Sequence, residues 1–270
     1  VSPLELLNLD GTMWVGPILM GGTVELDVVY DTGSDWVVVE GQACKNCQGD
    51  KYDMVLSEVQ PRKAAYTLTV RTYGSARLEG YEYLDKVCLR ADLCVDQFEY
   101  FLVEEQVGLA EPLDGIIGLA RNEPFHIAQE AGNIAGPLLI EALAEKGAIS
   151  TKKFSFYFQQ PEEDSWMDIG EPDLLNVKAG EQLVETQMVK PDFFWGFYSE
   201  GIAIGTVENS FGFEVVPDMD GAVYDGNKFY SIIDTGSTAL VISVLYFEPL
   251  IENLFAYAGI DDWKFDSGIV

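Results

Sequence analysis

Val24-Glu25-Leu26-Asp27-Val28-Val29-Tyr30 alternates apolar and polar positions as a half-buried strand does, and Phe229-Tyr230-Ser231-Ile232-Ile233 is a second largely apolar run. Both end in the same four residues, Asp31-Thr32-Gly33-Ser34 and Asp234-Thr235-Gly236-Ser237. Twice, therefore, a carboxylate stands where an apolar strand breaks into a glycine turn. Residues 1–109 consist of many short alternating runs punctuated by glycine and predict a mostly β region. Within it, Tyr66 to Tyr73 alternates cleanly, Gly74-Ser75 turns the chain, and Leu78 to Tyr83 returns, which predicts a hairpin with an aromatic residue at its tip. Leu113 to Ala120 is another apolar strand carrying glycines, a sign of close backbone approach. A helix is predicted from Gly136-Pro137 to Lys146, with proline in the first turn and Gly147 as the stop. A strand follows at Phe154–Phe158, the acidic Pro161–Ser165 stretch reads as a hairpin loop, and a second helix is predicted from Tyr246 to Tyr257 despite Pro249.

The doubled turn carries the candidate chemistry. A carboxylate leaving an apolar strand is costly to ionise unless hydrogen bonds serve it, and the Thr and Ser hydroxyls and Gly N–H of the same turn are suitable donors. If the two turns meet, two like charges share one cavity and the pair retains one proton. One carboxylate can then take a proton from water while the other gives one to a carbonyl oxygen, which is hydrolysis of an amide without metal, cofactor or covalent intermediate. A single such tetrapeptide also serves as an ordinary strand-to-turn exit; two copies after apolar strands give the pattern its specificity.

Composition narrows the setting. The 270 residues are 48% hydrophobic, enough for one large domain or two lobes with a substantial core. The formal charge of −29 argues against nucleic acid and anionic membrane surfaces as partners, since both would be repelled. It fits a solvated acidic surface, an acidic working pH or a high-salt habitat alike. No apolar run reaches the length of a membrane span, and no secretory leader opens the chain. The four cysteines form two close pairs, Cys44 with Cys47 and Cys88 with Cys94. A zinc site is one reading; two local disulfides are the other, since only one pair has metal-type spacing and the wider gap suits a hairpin loop. Disulfides imply an extracytosolic location, secreted or vacuolar/lysosomal. There is no glycosylation sequon. His126, the single histidine, has no nucleophile signature near it and receives no catalytic role.

These residues resemble the pepsin-like aspartic proteases (family A1) from near residue 3 to about residue 260. The resemblance implies a mostly β, bilobal fold with pseudo-two-fold symmetry and a few short helices, divided as an N-terminal lobe of residues 1–158 and a C-terminal lobe of residues 159–270. It implies an aspartic endopeptidase acting at acidic pH on a polypeptide in the cleft between the lobes, with Asp31 and Asp234 as the catalytic pair. Ser34 and Thr238 are expected to hold the outer carboxylate oxygens, with Ser237 and Trp36 supporting. Gly33, Gly236, Gly74, Ser75 and Thr238 would contact substrate, Tyr73 would be the lid residue, and Leu113 and Ile116 would border a hydrophobic subsite. Cys44–Cys47 resembles the first disulfide of the family. Three features depart from it: the turn is shortened to Asp35-Trp36, Ala76-Arg77 brings a positive charge to the lid, and an insertion is expected around residues 160–230.

The beginning resembles that of mature members. By internal symmetry, the counterpart of Leu113–Leu119 is expected beyond Val270, in a separate C-terminal chain of the same precursor, in residues not at hand, or removed. The alternative function is a catalytically silent member of this fold, serving as a binding or structural component.

Overall fold

The computed structural model describes residues 3–9, 11, 13–74, 76–108, 113–121, 135–160, 162–189, 193–205, 210–214, 223–224, 228–242 and 244–260. His126 and Ser75 lie outside them. The protein is mostly β. It divides into two compact units, the first comprising residues 1–185, 191–195 and 233–238, the second residues 186–190, 196–232 and 239–270.

The first unit is built on β1 (Leu4–Leu9), β2 (Met13–Met20), β3 (Val24–Asp31), β4 (Val37–Lys45), β5 (Arg62–Lys63), β6 (Thr69–Tyr73), β7 (Ala76–Arg90), β8 (Leu93–Val107) and β9 (Gly115–Gly118). Helix α1 (Leu139–Glu145), β10 (Phe154–Tyr157) and β11 (Ser165–Ile169) follow. All eleven strands join one sheet, ordered β10-β11-β1-β2-β3-β9-β4-β8-β7-β5, with β6 hydrogen-bonded to β7. Antiparallel pairing dominates, and the exceptions position the site: β9 lies parallel to β3, placing Asp31 opposite Gly118. On its other side β9 runs antiparallel to β4, with Ile116 opposite Val38.

Alternation explains the burial. In β3 Leu26, Val28 and Tyr30 face the main core beside Ile18, Met20, Val37 and Val39, while Glu25 and Asp27 are exposed. Met167 of β11 and Leu139 and Leu143 of α1 are fully buried against the same core. Truncating Leu143 to alanine therefore carries the cost of a buried leucine, about 2–5 kcal/mol. The helix begins two residues after Pro137, with Leu138 as a cap lacking a side-chain bond, and stops at Gly147, whose φ of 73° favours glycine.

The cysteines are two disulfides, Cys44–Cys47 and Cys88–Cys94, the second joining directly opposed residues of the β7–β8 hairpin. Both strands of that hairpin extend over 15 residues, much further than the alternation of Leu78 to Tyr83 predicts.

The second unit contains β12 (Gly196–Ser199), β13 (Gly201–Gly205), β14 (Ser210–Glu214), β15 (Val223–Tyr224), β16 (Lys228–Ile232) and helix α2 (Val244–Ala258). β16 pairs antiparallel with both β12 and β15, and β13 pairs with β14. Pro249 lies inside α2, and Leu250 is buried. Among the described residues no helix is long and apolar enough to cross a membrane.

Candidate active site

Both Asp-Thr-Gly-Ser turns belong to the first unit, and each folds around its own carboxylate in the same way. Gly33 N–H donates to Asp31 Oδ1 at 2.8 Å and the Ser34 hydroxyl to Oδ2 at 2.5 Å. Gly236 N–H donates to Asp234 Oδ1 at 2.9 Å and the Ser237 hydroxyl to Oδ2 at 2.8 Å. Ser237, not Thr238, is thus the hydroxyl partner of Asp234. It occupies the place in its turn that Ser34 occupies in the first, whereas Thr238 is one residue too far along and is exposed.

The threonines do something the sequence did not suggest. Neither serves its own carboxylate; each crosses to the opposite turn. Thr32 N–H donates to Thr235 Oγ1 and Thr235 N–H to Thr32 Oγ1, both at 3.0 Å. Their hydroxyls then donate to the strand ends, Thr32 to Ile233 O at 2.8 Å and Thr235 to Tyr30 O at 2.5 Å. The lock is reciprocal, as two copies of one motif require when they meet about a local two-fold.

This lock brings the carboxyls together. A Cβ placed on Gly33 would stand 2.7 Å from Asp234 Cγ, and one on Gly236 would stand 2.6 Å from Asp31 Cγ. Glycine at the third position therefore admits the opposite carboxyl rather than a turn conformation alone. Asp31 is buried and is pushed up to about 6, first by desolvation and then by the charge and hydrogen bond of Asp234, while Ser34 and Gly33 oppose the rise.

The first turn is braced by β9 and the residues after it. Leu119 N–H donates to Asp31 O at 2.7 Å, Ala120 N–H to Ser34 O at 2.8 Å and Gly118 N–H to Trp36 O at 2.9 Å. A Cβ on Gly118 would lie 2.6 Å from Asp35 Cα, so only glycine permits this approach. Asp114 extends the brace, its carboxylate accepting from Asp27 N–H at 2.8 Å and Asp50 N–H at 2.7 Å.

Beside the turn lies an apolar cluster of Trp36, Val38, Leu78, Phe101, Val103 and Ile116, with Tyr73 packed on it. The shortened Asp35-Trp36 turn delivers Trp36 to the cluster on which Tyr73 packs. Ile116 joins this cluster, but Leu113 does not: it packs with Val15 and Val29 in a separate one, so the structure does not bring the two expected subsite residues together. Tyr73 ends β6, half-buried, and Gly74 follows with φ of 51° and nothing around its Cβ position. Ala76 is buried, whereas Arg77 is exposed and pairs with Glu79 of its own strand.

Two further residues join the site without a motif to mark their roles. Asp35, next after Ser34, accepts from Gly136 N–H at 2.5 Å. Arg71, inward-facing in β6, is buried against Trp36. No sequence signal marks the second: the alternation of Tyr66, Leu68 and Val70 puts Arg71 on the polar face, yet those three apolar residues are exposed and Arg71 is buried.

A family model described as eukaryotic aspartyl protease matches residues 14–261, a span that holds both turns and the β6–β7 hairpin. Plasmepsin VI of Plasmodium berghei (strain Anka) is 25% identical over 264 residues, covering 93% of this chain and 56% of that protein. The chain thus spans little more than half the length of the curated relative it matches. With the family matched across nearly all of its sequence, the chain belongs to the eukaryotic aspartyl proteases.

Proposed function

We propose that the protein is an aspartic endopeptidase that hydrolyses peptide bonds at acidic pH, using one water activated between Asp31 and Asp234. The observation that carries this reading is the reciprocal approach of the two carboxyls, each against the glycine of the other turn. Burial and the charge of Asp234 raise Asp31, and the two carboxyls hold one proton between them as a pair. As water attacks the scissile carbonyl carbon, the pair removes a water proton through one carboxylate and protonates the carbonyl oxygen through the other. The resulting diol collapses when the proton passes to the leaving nitrogen. Like charges at such close range cannot both ionise freely, a general rule of which the aspartic proteases are themselves the familiar example.

Around the pair, Gly33, Gly236, Gly74 and Ser75 offer main-chain groups to an extended peptide, and Tyr73 with its hairpin is the lid. Ile116 borders an apolar subsite with Trp36 behind it. Residues 1–158 and 159–270 are the two lobes in this reading, and the two disulfides support an extracytosolic location.

The rival reading is a silent member of the family that binds without cleaving, and one observation favours it: Gly236, Ser237 and Thr238 of the second turn are exposed. A statine-type peptide, which mimics the tetrahedral diol, separates the two. A working pair binds it tightly at acid pH and raises Tm, by roughly 3 kcal/mol of added stability at 100-fold excess over Kd. No shift in Tm at acid pH favours the silent reading.

A further inference from the structure

Arg71 is a charged group in a place where charge is expensive. It lies on β6, two residues before Tyr73, and is only 6% exposed. Its Nη2 donates to Glu82 of β7 at 2.8 Å, and Glu82 is buried as well. The guanidinium carbon stands 3.7 Å from the Trp36 ring centroid and 4.8 Å from that of Phe101. Its Nε is buried with no hydrogen-bond partner among the described residues. The group is therefore held by one ion pair and by stacking on rings rather than by a full set of hydrogen bonds.

The contacts join separate parts of the site. Glu82 and Arg71 lie in the two strands of the lid hairpin. Trp36 belongs to the turn that carries Asp31, and Asp35 beside it is raised by burial and lowered by the Arg71 charge. Tyr73 and, on β8, Glu99 also lie in the field of this cation. A buried ion pair far from any moving part would be explained as packing. This one spans the lid and the catalytic turn.

We propose that Arg71 is a positioning residue that couples the Tyr73 hairpin to the catalytic turn, its guanidinium anchored by Glu82 at the hairpin and stacked on Trp36 at the turn. The inference rests on the reading of the hairpin as a lid over bound peptide. Arg71 does not touch the reacting atoms. It sets where the lid rests above them, so its removal falls on the capture of extended substrate more than on the chemical step.

The test uses Arg71→Met combined with Glu82→Gln, because Arg71→Met alone leaves a buried carboxylate unpaired and endangers the fold. Arg71→Lys keeps the charge and loses the planar stack. The double variant is expected to raise KM for a peptide of about eight residues by about tenfold with kcat within about twofold, and Arg71→Lys to fall between it and the unmodified protein. Hydrogen exchange is expected to speed up together in residues 33–37 and 69–80 of the double variant, by about tenfold, with β10 and β11 unchanged.

Unchanged KM overturns the proposal, as does a fall in activity that active-site titration attributes wholly to fewer folded molecules. Faster exchange in the hairpin without the turn also overturns it. If the unmodified protein cleaves no peptide, the protease reading fails by itself, and the exchange measurement still decides whether Arg71 couples the two elements.

Discussion

The two Asp-Thr-Gly-Ser turns have the same internal hydrogen bonds and different surroundings. Asp31, Thr32 and Ser34 are all buried, and the backbone of their turn is bonded to Leu119 and Ala120 beyond the parallel strand β9. In the second turn Gly236, Ser237 and Thr238 are exposed, and Ile233 before it is 57% exposed. Its described backbone bonds are Ile233 N–H to Trp195 O and a long Ser237 N–H to Asp234 O. The tetrapeptide therefore suffices to fix the carboxyl, since both aspartates receive an amide on one oxygen and a hydroxyl on the other. Acidity is a different matter. It is set by what covers the turn, and desolvation is the leading cause of the rise at Asp31.

The comparison breaks most completely if either aspartate is dispensable. Asp31→Asn and Asp234→Asn should each lower kcat by at least about 10³-fold in a peptide-cleavage assay at acid pH, since each removes an obligatory proton carrier. An active single variant would mean that the turns do not work as a pair.

The crossed threonines come next. Thr32→Val leaves the Ile233 carbonyl and the Thr235 backbone N–H without their partners, which should cost about 2–3 kcal/mol in denaturant unfolding. Thr235→Val should cost less, because Thr235 is less buried. Equal costs would show that burial does not distinguish the turns.

A smaller asymmetry is expected at the serines. Ser34→Ala should reduce kcat/KM by about tenfold and Ser237→Ala by about threefold, because a hydrogen bond to a buried carboxylate is worth more than one in contact with solvent. The reverse order would contradict the difference in cover.

The smallest effect lies behind the first turn, at Glu40. This buried carboxyl accepts from Gly49 N–H, and desolvation pushes it up to about 7 from an ordinary 4.5. A carboxyl raised in the folded state binds more protons folded than unfolded, so stability falls as pH rises from about 4.5 through about 7. Glu40→Gln should flatten Tm over that window. An undiminished fall would assign the pH dependence to other groups.

Much of this was legible in the chain. The apolar runs before Asp31 and Asp234 announced β3 and β16, and Gly147 marked the stop of α1, because these signals act over a few neighbouring residues. The start of α1 was misplaced since Gly136 serves Asp35 and packs on the Trp36 ring instead of opening the helix. The return strand expected over Leu78 to Tyr83 already passes through Gly80, whose missing side chain admits Leu102 O of the neighbouring strand; its continuation to Arg90 is set by pairing with β8, which lies outside that local alternation. The threonine lock could not be read because its partners lie 203 residues apart. Arg71 was hidden for a related reason: what makes it buried is a carboxylate on the next strand and a ring on the catalytic turn.

The most direct measurement is the titration of the Asp31 carboxyl itself, followed by carbon-13 NMR in the unmodified protein and in Asp234→Asn. Two carboxyls that share one site require Asp31 to titrate well above its ordinary 3.8, toward about 6, and to drop when the charge at Asp234 is removed. A titration at or below 3.8, indifferent to residue 234, would contradict the pairing on which the proposed chemistry depends.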